Sequence, residues 1–137
     1  MENSLFKKTN VPLMVFLSSV SLGIYVPYWF LSRQKNFETL KNNLNFTALK
    51  VLFGLYIFSF ILNLVHTGIF TELGINVFNS LDLILTFFGL GIMYFSVFRA
   101  RDSIEDELNE KVYNPWLLVI FHIWYLQYKL NRMELKA

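Results

Sequence analysis

Apolar residues in this chain gather into four runs, at about residues 11–31, 46–67, 77–98 and 115–128. A perpendicular bilayer crossing takes roughly 20 apolar residues. The second and third runs reach that length and the fourth falls short. The first reaches it but contains Gly23 and Pro27. Pro27 cannot donate to the Gly23 carbonyl and its ring crowds that residue, so a kink or break is expected at Gly23 and Pro27. The fourth run starts well as a helix, with Asn114 as N-cap and Pro115 in the first turn. Val119, Ile123, Leu126, Leu130 and Met133 make one apolar stripe along it. His122, Tyr125, Lys129, Arg132 and Lys136 make a polar one. That pattern predicts a short amphipathic helix, interfacial or partly inserted.

Charge orients the runs. The chain has 12 Lys and Arg, and none lies between Val51 and Phe98. Cytoplasmic loops of membrane proteins are rich in these residues and translocated loops are poor in them. The window therefore reads as a transmembrane hairpin in the cell (cytoplasmic) membrane. Loop 68–76 is then outside, and residues 32–45 and the charged connector 99–114 are cytoplasmic. The first run is flanked by Lys7 and Lys8 before it and by Arg33 and Lys35 after it. The fourth has Lys111 before it and Lys129 and Arg132 after it. Cations at both ends do not suit a simple crossing. Either these runs cross and tolerate external cations, or they lie in the interface or dip in and return. The expected arrangement is a crossing, kinked first segment and an interfacial or partly inserted fourth. Ser19-Val20-Ser21 faintly mimics a signal-peptide cleavage site, but the first run is read as part of the mature protein.

Composition agrees with a membrane class: 55% hydrophobic, 16% charged and 15 Phe, with a mean hydropathy of +0.43. A water-soluble chain this short could not hide so much apolar surface. The expected fold is all-α, a polytopic membrane helical bundle forming a single domain over residues 1–137. A net charge of +2 gives nucleic-acid binding no support. The absence of cysteine excludes disulfides, thiol catalysis and Cys-ligated metals, and two histidines are a poor metal kit. No HExxH, G-x-S-x-G or phosphate loop occurs. No catalytic residue, metal or cofactor is expected. The charged stretch from Arg99 to Lys111 reads as a solvated cytoplasmic helix; the alternative is a docking site for basic tails or divalent cations in its acidic cluster (Asp102, Glu105, Asp106, Glu107 and Glu110).

The hairpin carries the candidate chemistry. Tyr56, Ser59, Asn63 and His66 share one helical face, as do Asn79, Asp82, Thr86, Gly89, Met93 and Ser96. Antiparallel pairing would set His66 near Asn79, Asn63 near Asp82, Ser59 near Thr86 and Tyr56 near Gly89. Polar groups in hydrocarbon need partners, so both stripes should turn inward. Intramembrane ionisable residues such as Asp82 are candidate functional sites. The stripes either fix hairpin register or line a conduction path in an oligomer. Tyr25, Tyr28 and Trp29 followed by Arg33 and Lys35, and likewise Trp124, Tyr125, Lys129 and Arg132, look like lipid-facing interfacial anchors.

Leu22-Gly23-Ile24-Tyr25-Val26-Pro27-Tyr28-Trp29-Phe30 resembles the L-G-I-Y-x-x-Y-W-[FY] signature of a bacterial and archaeal family of small integral-membrane proteins. That family is catalogued as a domain of unknown function. Tyr125-Leu126-Gln127-Tyr128-Lys129-Leu130-Asn131 looks like its closing Y-L-Q-Y-K-x-N motif. The resemblance implies a membrane location and carries over no site residues. Trp29-Phe30-Leu31 with Asn36 also aligns with Trp124-Tyr125-Leu126 with Asn131, a trace of a pseudo-repeat. The sequence leads to a non-enzymatic membrane module that assembles with itself or as a subunit of a larger system, partnered by the lipid bilayer. The alternative is an oligomeric ion or small-solute channel or transporter. A membrane enzyme acting on lipids ranks last.

Overall fold

The computed structural model describes residues 5–40 and 44–133, with only the backbone of 66 and 67. Among these residues the protein is all-helical: α1 (Val11–Val20), α2 (Tyr25–Leu31), α3 (Gln34–Glu38), α4 (Phe46–Ile69), α5 (Glu72–Leu108) and α6 (Pro115–Leu130).

Helices α4 and α5 form the expected hairpin, but the loop shrinks from 68–76 to Phe70 and Thr71. Thr71 is the reason. It caps α5, its hydroxyl oxygen accepting from Gly74 N–H at 3.4 Å, and Glu72 in the first turn suits the helix dipole. At its other end α5 does not stop with the apolar run. It continues through the charged stretch to Leu108, where Asn109 (φ 52°) ends it in the left-handed conformation. The third run and most of the charged connector are thus one helix. Both hairpin helices are long and apolar enough to cross a membrane, yet only 17% and 22% of their apolar windows are buried. Phe58, Leu64, Leu73, Phe87 and Phe88 are all exposed. A buried core helix of a soluble protein would not leave such a belt uncovered.

The first run is not one kinked helix. Leu22 (φ 50°) and Gly23 (φ 90°) reverse the chain, and α2 folds back along α1. The two ends of the run meet: Arg33 donates to Thr9 Oγ1 at 2.7 Å, Asn36 Nδ2 donates to Leu5 O, and the Phe6 and Phe37 rings lie 4.9 Å apart. Gly23 makes the break as expected, whereas Pro27 does not. Pro27 sits in the first turn of α2, where an N–H has no helical partner to lose.

The fourth run also breaks, where the sequence predicts a continuous helix. His122 (φ 48°, ψ −130°) takes a backbone conformation like the first central position of a type II′ turn. The halves of α6 double back there, so Asn114 N–H reaches Tyr125 Oη at 3.3 Å. A straight helix would separate these residues by about 16 Å. The expected apolar stripe is therefore split: Ile123, Leu126 and Leu130 are buried, while Val119 is 42% exposed.

These pieces build a base and a stalk. The base packs α1, α2, α3 and both halves of α6 around the start of α4 and the end of α5. Its core holds Met14, Trp29, Phe30, Phe37, Leu49, Val97, Ile104, Leu118 and Ile123, all under 2% exposed. The stalk is the remainder of the α4–α5 hairpin.

Candidate functional site

Where stalk meets base, a cleft of about 350 Å³ opens between α4 and α5, with the Leu22–Ile24 turn at its lower edge. Its polar wall is Tyr56, Ser59, Asn63, Asp82 and Thr86. The Ser59 hydroxyl donates to Asp82 Oδ1, and the Asn63 amide donates back to Ser59 O at 3.0 Å. Thr86 Oγ1 donates to the Asp82 carbonyl at 2.8 Å. Tyr56 lies across Gly89, with its hydroxyl 2.0 Å from where a Cβ would stand.

Of the expected pairs, Tyr56 meets Gly89, but Ser59 rather than Asn63 meets Asp82. Ser59 is short enough to be buried in the helix crossing, while the longer Asn63 turns onto its own helix. Asn79, expected opposite His66, is exposed, and the His66 side chain lies outside the described residues. The stripes do not turn fully inward either, because Asn63 and Thr86 are exposed too. Two helices cover only one side of each other, and the base stops below this level. Lower on α5 the same stripe is packed: Gly89, Met93 and Ser96 are buried.

A carboxylate among hydroxyls and an amide can accept a proton or hold a cation. No group of three His, Cys, Asp or Glu side chains suited to a metal occurs among the described residues.

The aromatic-basic motifs do something other than anchor. Trp29 is fully buried, and its Nε1 donates to Gln127 Oε1 at 3.0 Å. Gln127, also fully buried, donates to Asn131 Oδ1 at 2.7 Å and to Lys7 O at 3.3 Å. Asn131 closes the circuit, donating to Thr9 O at 2.7 Å and accepting from Thr9 N–H at 3.0 Å. Arg33, 8% exposed, stacks 4.5 Å from the Trp29 ring and donates to Trp29 O and Thr9 Oγ1. Burial lowers its pKa, with the neighbouring Tyr25 and Tyr28 pulling the other way. Trp29 and Arg33 are thus internal rather than lipid-facing. Trp124, half-buried, donates to Ser18 Oγ at 3.3 Å, and the half-buried Tyr125 ring lies edge-on to Tyr113. Tyr25 and Lys129 are half-buried; Tyr28, Lys35 and Arg132 remain exposed, with Arg132 over the Tyr128 ring.

Gln127, Asn131 and Thr9 escaped the sequence reading as a site. Their only signal is that Gln127 and Asn131 fall in the closing motif. Glu105 escaped it also. Its Oε1 accepts from Val112 and Tyr113 N–H at 2.9 and 2.8 Å, pinning the turn between α5 and α6.

No family model, curated protein or solved structure matches the chain.

Proposed function

We propose that the chain is a non-enzymatic, multi-pass integral membrane protein that works by assembling with further copies of itself. One observation carries this reading. Asn79 stands exposed on the stalk beside bare apolar side chains such as Leu83 and Phe87, and Asn63 and Thr86 are exposed with it although each is hydrogen-bonded along its own helix. At that level a bilayer offers no water, and polar side chains there gain from partners on another helix. A second copy brings the same stripe. Charge supports the orientation. Every Lys and Arg of the described residues belongs to the base end or its flanks, which favours an orientation with the base in the cytoplasmic half of the membrane and the Phe70–Thr71 turn outside. The resemblance of the segments around Trp29 and Gln127 to the small membrane family fits the same location.

The assembly is tested by cross-linking in native membranes and by native mass spectrometry in detergent. Wild type forms a defined oligomer, and Asn63→Leu with Thr86→Val lowers its population. A monomer under every condition sinks the proposal.

A second reading, an oligomeric channel, draws on the broken-helix turn at the edge of the Asp82 cleft. Interrupted helices next to an intramembrane carboxylate are a recurring way to build ion sites. Liposome flux measured for wild type and Asp82→Asn decides it: flux that disappears in the variant supports a channel, and no wild-type flux under any cation or proton gradient removes it.

A further inference from the structure

We infer that the protein is an asymmetric wedge that prefers, and at high density imposes, a curved bilayer with the base in the convex leaflet. The inference rests on the membrane reading above but not on the assembly.

Both fold-back segments enter from one end and return to it. The Thr9–Arg33 contact closes the first, and the Asn114–Tyr125 contact closes the second. Neither turn reaches past Tyr56: the first stops at the level of Tyr56 and Gly89, and the second stops at Tyr94, five residues nearer the base along α5. Gly23 reaches Tyr56, and His122 packs edge-on to Tyr94 at 4.8 Å. Tyr56 lies ten residues into α4, about 15 Å from its start in a helix about 36 Å long, so neither segment passes the middle of the hairpin. The turns are apolar and uncovered: Val20 is 62% exposed, Leu22 72%, Ile120 65% and Phe121 48%. They face the hydrocarbon.

A section through the base therefore cuts six helical rods: α1, α2, the two halves of α6, α4 and α5. A section through the stalk cuts two. Four extra rods, each about 10 Å across, add on the order of 300 Å² to one leaflet alone. The wedge is also stiff. The buried core and the Trp29–Gln127–Asn131 network lock the fold-back segments to each other, so they cannot splay to even out the two leaflets.

The test uses the full chain, fluorescently labelled at Glu72→Cys, in mixed small and large vesicles of phosphatidylcholine with phosphatidylglycerol. Protein per unit membrane area is read vesicle by vesicle, and sidedness by quenching from outside. The expected result is several-fold denser protein in the small vesicles, base outward, with narrow tubules at high loading. Equal density in small and large vesicles overturns the wedge. Protein that washes off the vesicles at alkaline pH instead overturns the membrane reading itself. In a second arm, Val20→Glu with Ile120→Glu draws the turns out of the hydrocarbon. This variant should still float with vesicles and lose the preference for small ones; a retained preference overturns the role given to the turns.

Discussion

Gly89 fixes how closely α4 and α5 approach, because a methyl group there would meet the Tyr56 hydroxyl at 2.0 Å and Leu52 Cδ1 at 3.0 Å. Gly89→Ala should cost about 1–3 kcal/mol in reversible unfolding from mixed micelles, with partial recovery in a Tyr56→Leu background. Gln127 serves three partners inside the base. Gln127→Leu strands Trp29 Nε1, the Lys7 carbonyl and part of Asn131, and should cost about 1–3 kcal/mol in the same assay. Tyr113 has the opposite sign. Its buried hydroxyl has no hydrogen-bond partner among the described residues, and burial holds its pKa well above that of an ordinary phenol. Tyr113→Phe removes an unsatisfied group, so stability should stay level or rise. The Tyr56–Gly89 pair was legible because helical spacing alone aligns them. The burial of Trp29 was not. An aromatic-basic cluster beside an apolar run looks the same whether it faces lipid or a partner 98 residues away.

The two chain reversals differ in how openly the sequence announces them. Gly23 advertises a positive φ that other residues adopt at a cost, so Gly23→Ala should lose about 1 kcal/mol or more. Pro27→Ala, in the first turn of α2, should stay within about 0.5 kcal/mol of wild type. Comparing the two by thermal aggregation in detergent separates a glycine-made break from a proline-made kink. The α6 reversal at His122 has no glycine or proline to mark it, and the amphipathic count carried the helix straight through. Packing decides there: the His122 ring meets Tyr94 edge-on, and Tyr94 Oη donates to the Val119 carbonyl at 2.8 Å. His122→Gly should be tolerated and His122→Val should not, because a β-branched residue resists that backbone conformation. The bounds of α5 escape hydropathy for a related reason. Capping by Thr71 and the helix-forming stretch after Phe98 extend α5 past both ends of its apolar run, and hydropathy does not register either effect.

For the molecule as a whole, fold-back geometry accounts for the charge pattern under the proposed orientation. Cations on both sides of the first and fourth runs looked incompatible with crossings; each run instead returns to its own end, so all these cations sit together. Single cysteines at Lys8, Lys35, Asn109 and Lys129 should then react with an impermeant maleimide from the cytoplasmic side, and one at Glu72 only from the outside. Labelling of Lys8 and Lys35 positions from opposite sides would restore a crossing first segment.

The circuit joining Thr9 to Asn131 spans nearly the whole chain, which has a consequence for how the protein is made. A ribosome delivers the first apolar run long before Gln127 and Asn131 exist to satisfy it. Until then α1 and α2 are two short helices with an unpaired Trp29 indole and a bare Arg33 stack. Nascent chains arrested before residue 123 should therefore leave the first run open to added protease, and release of the full chain should close it. On this geometry the contacts that close the first run are completed only by the helix farthest along the chain, α6.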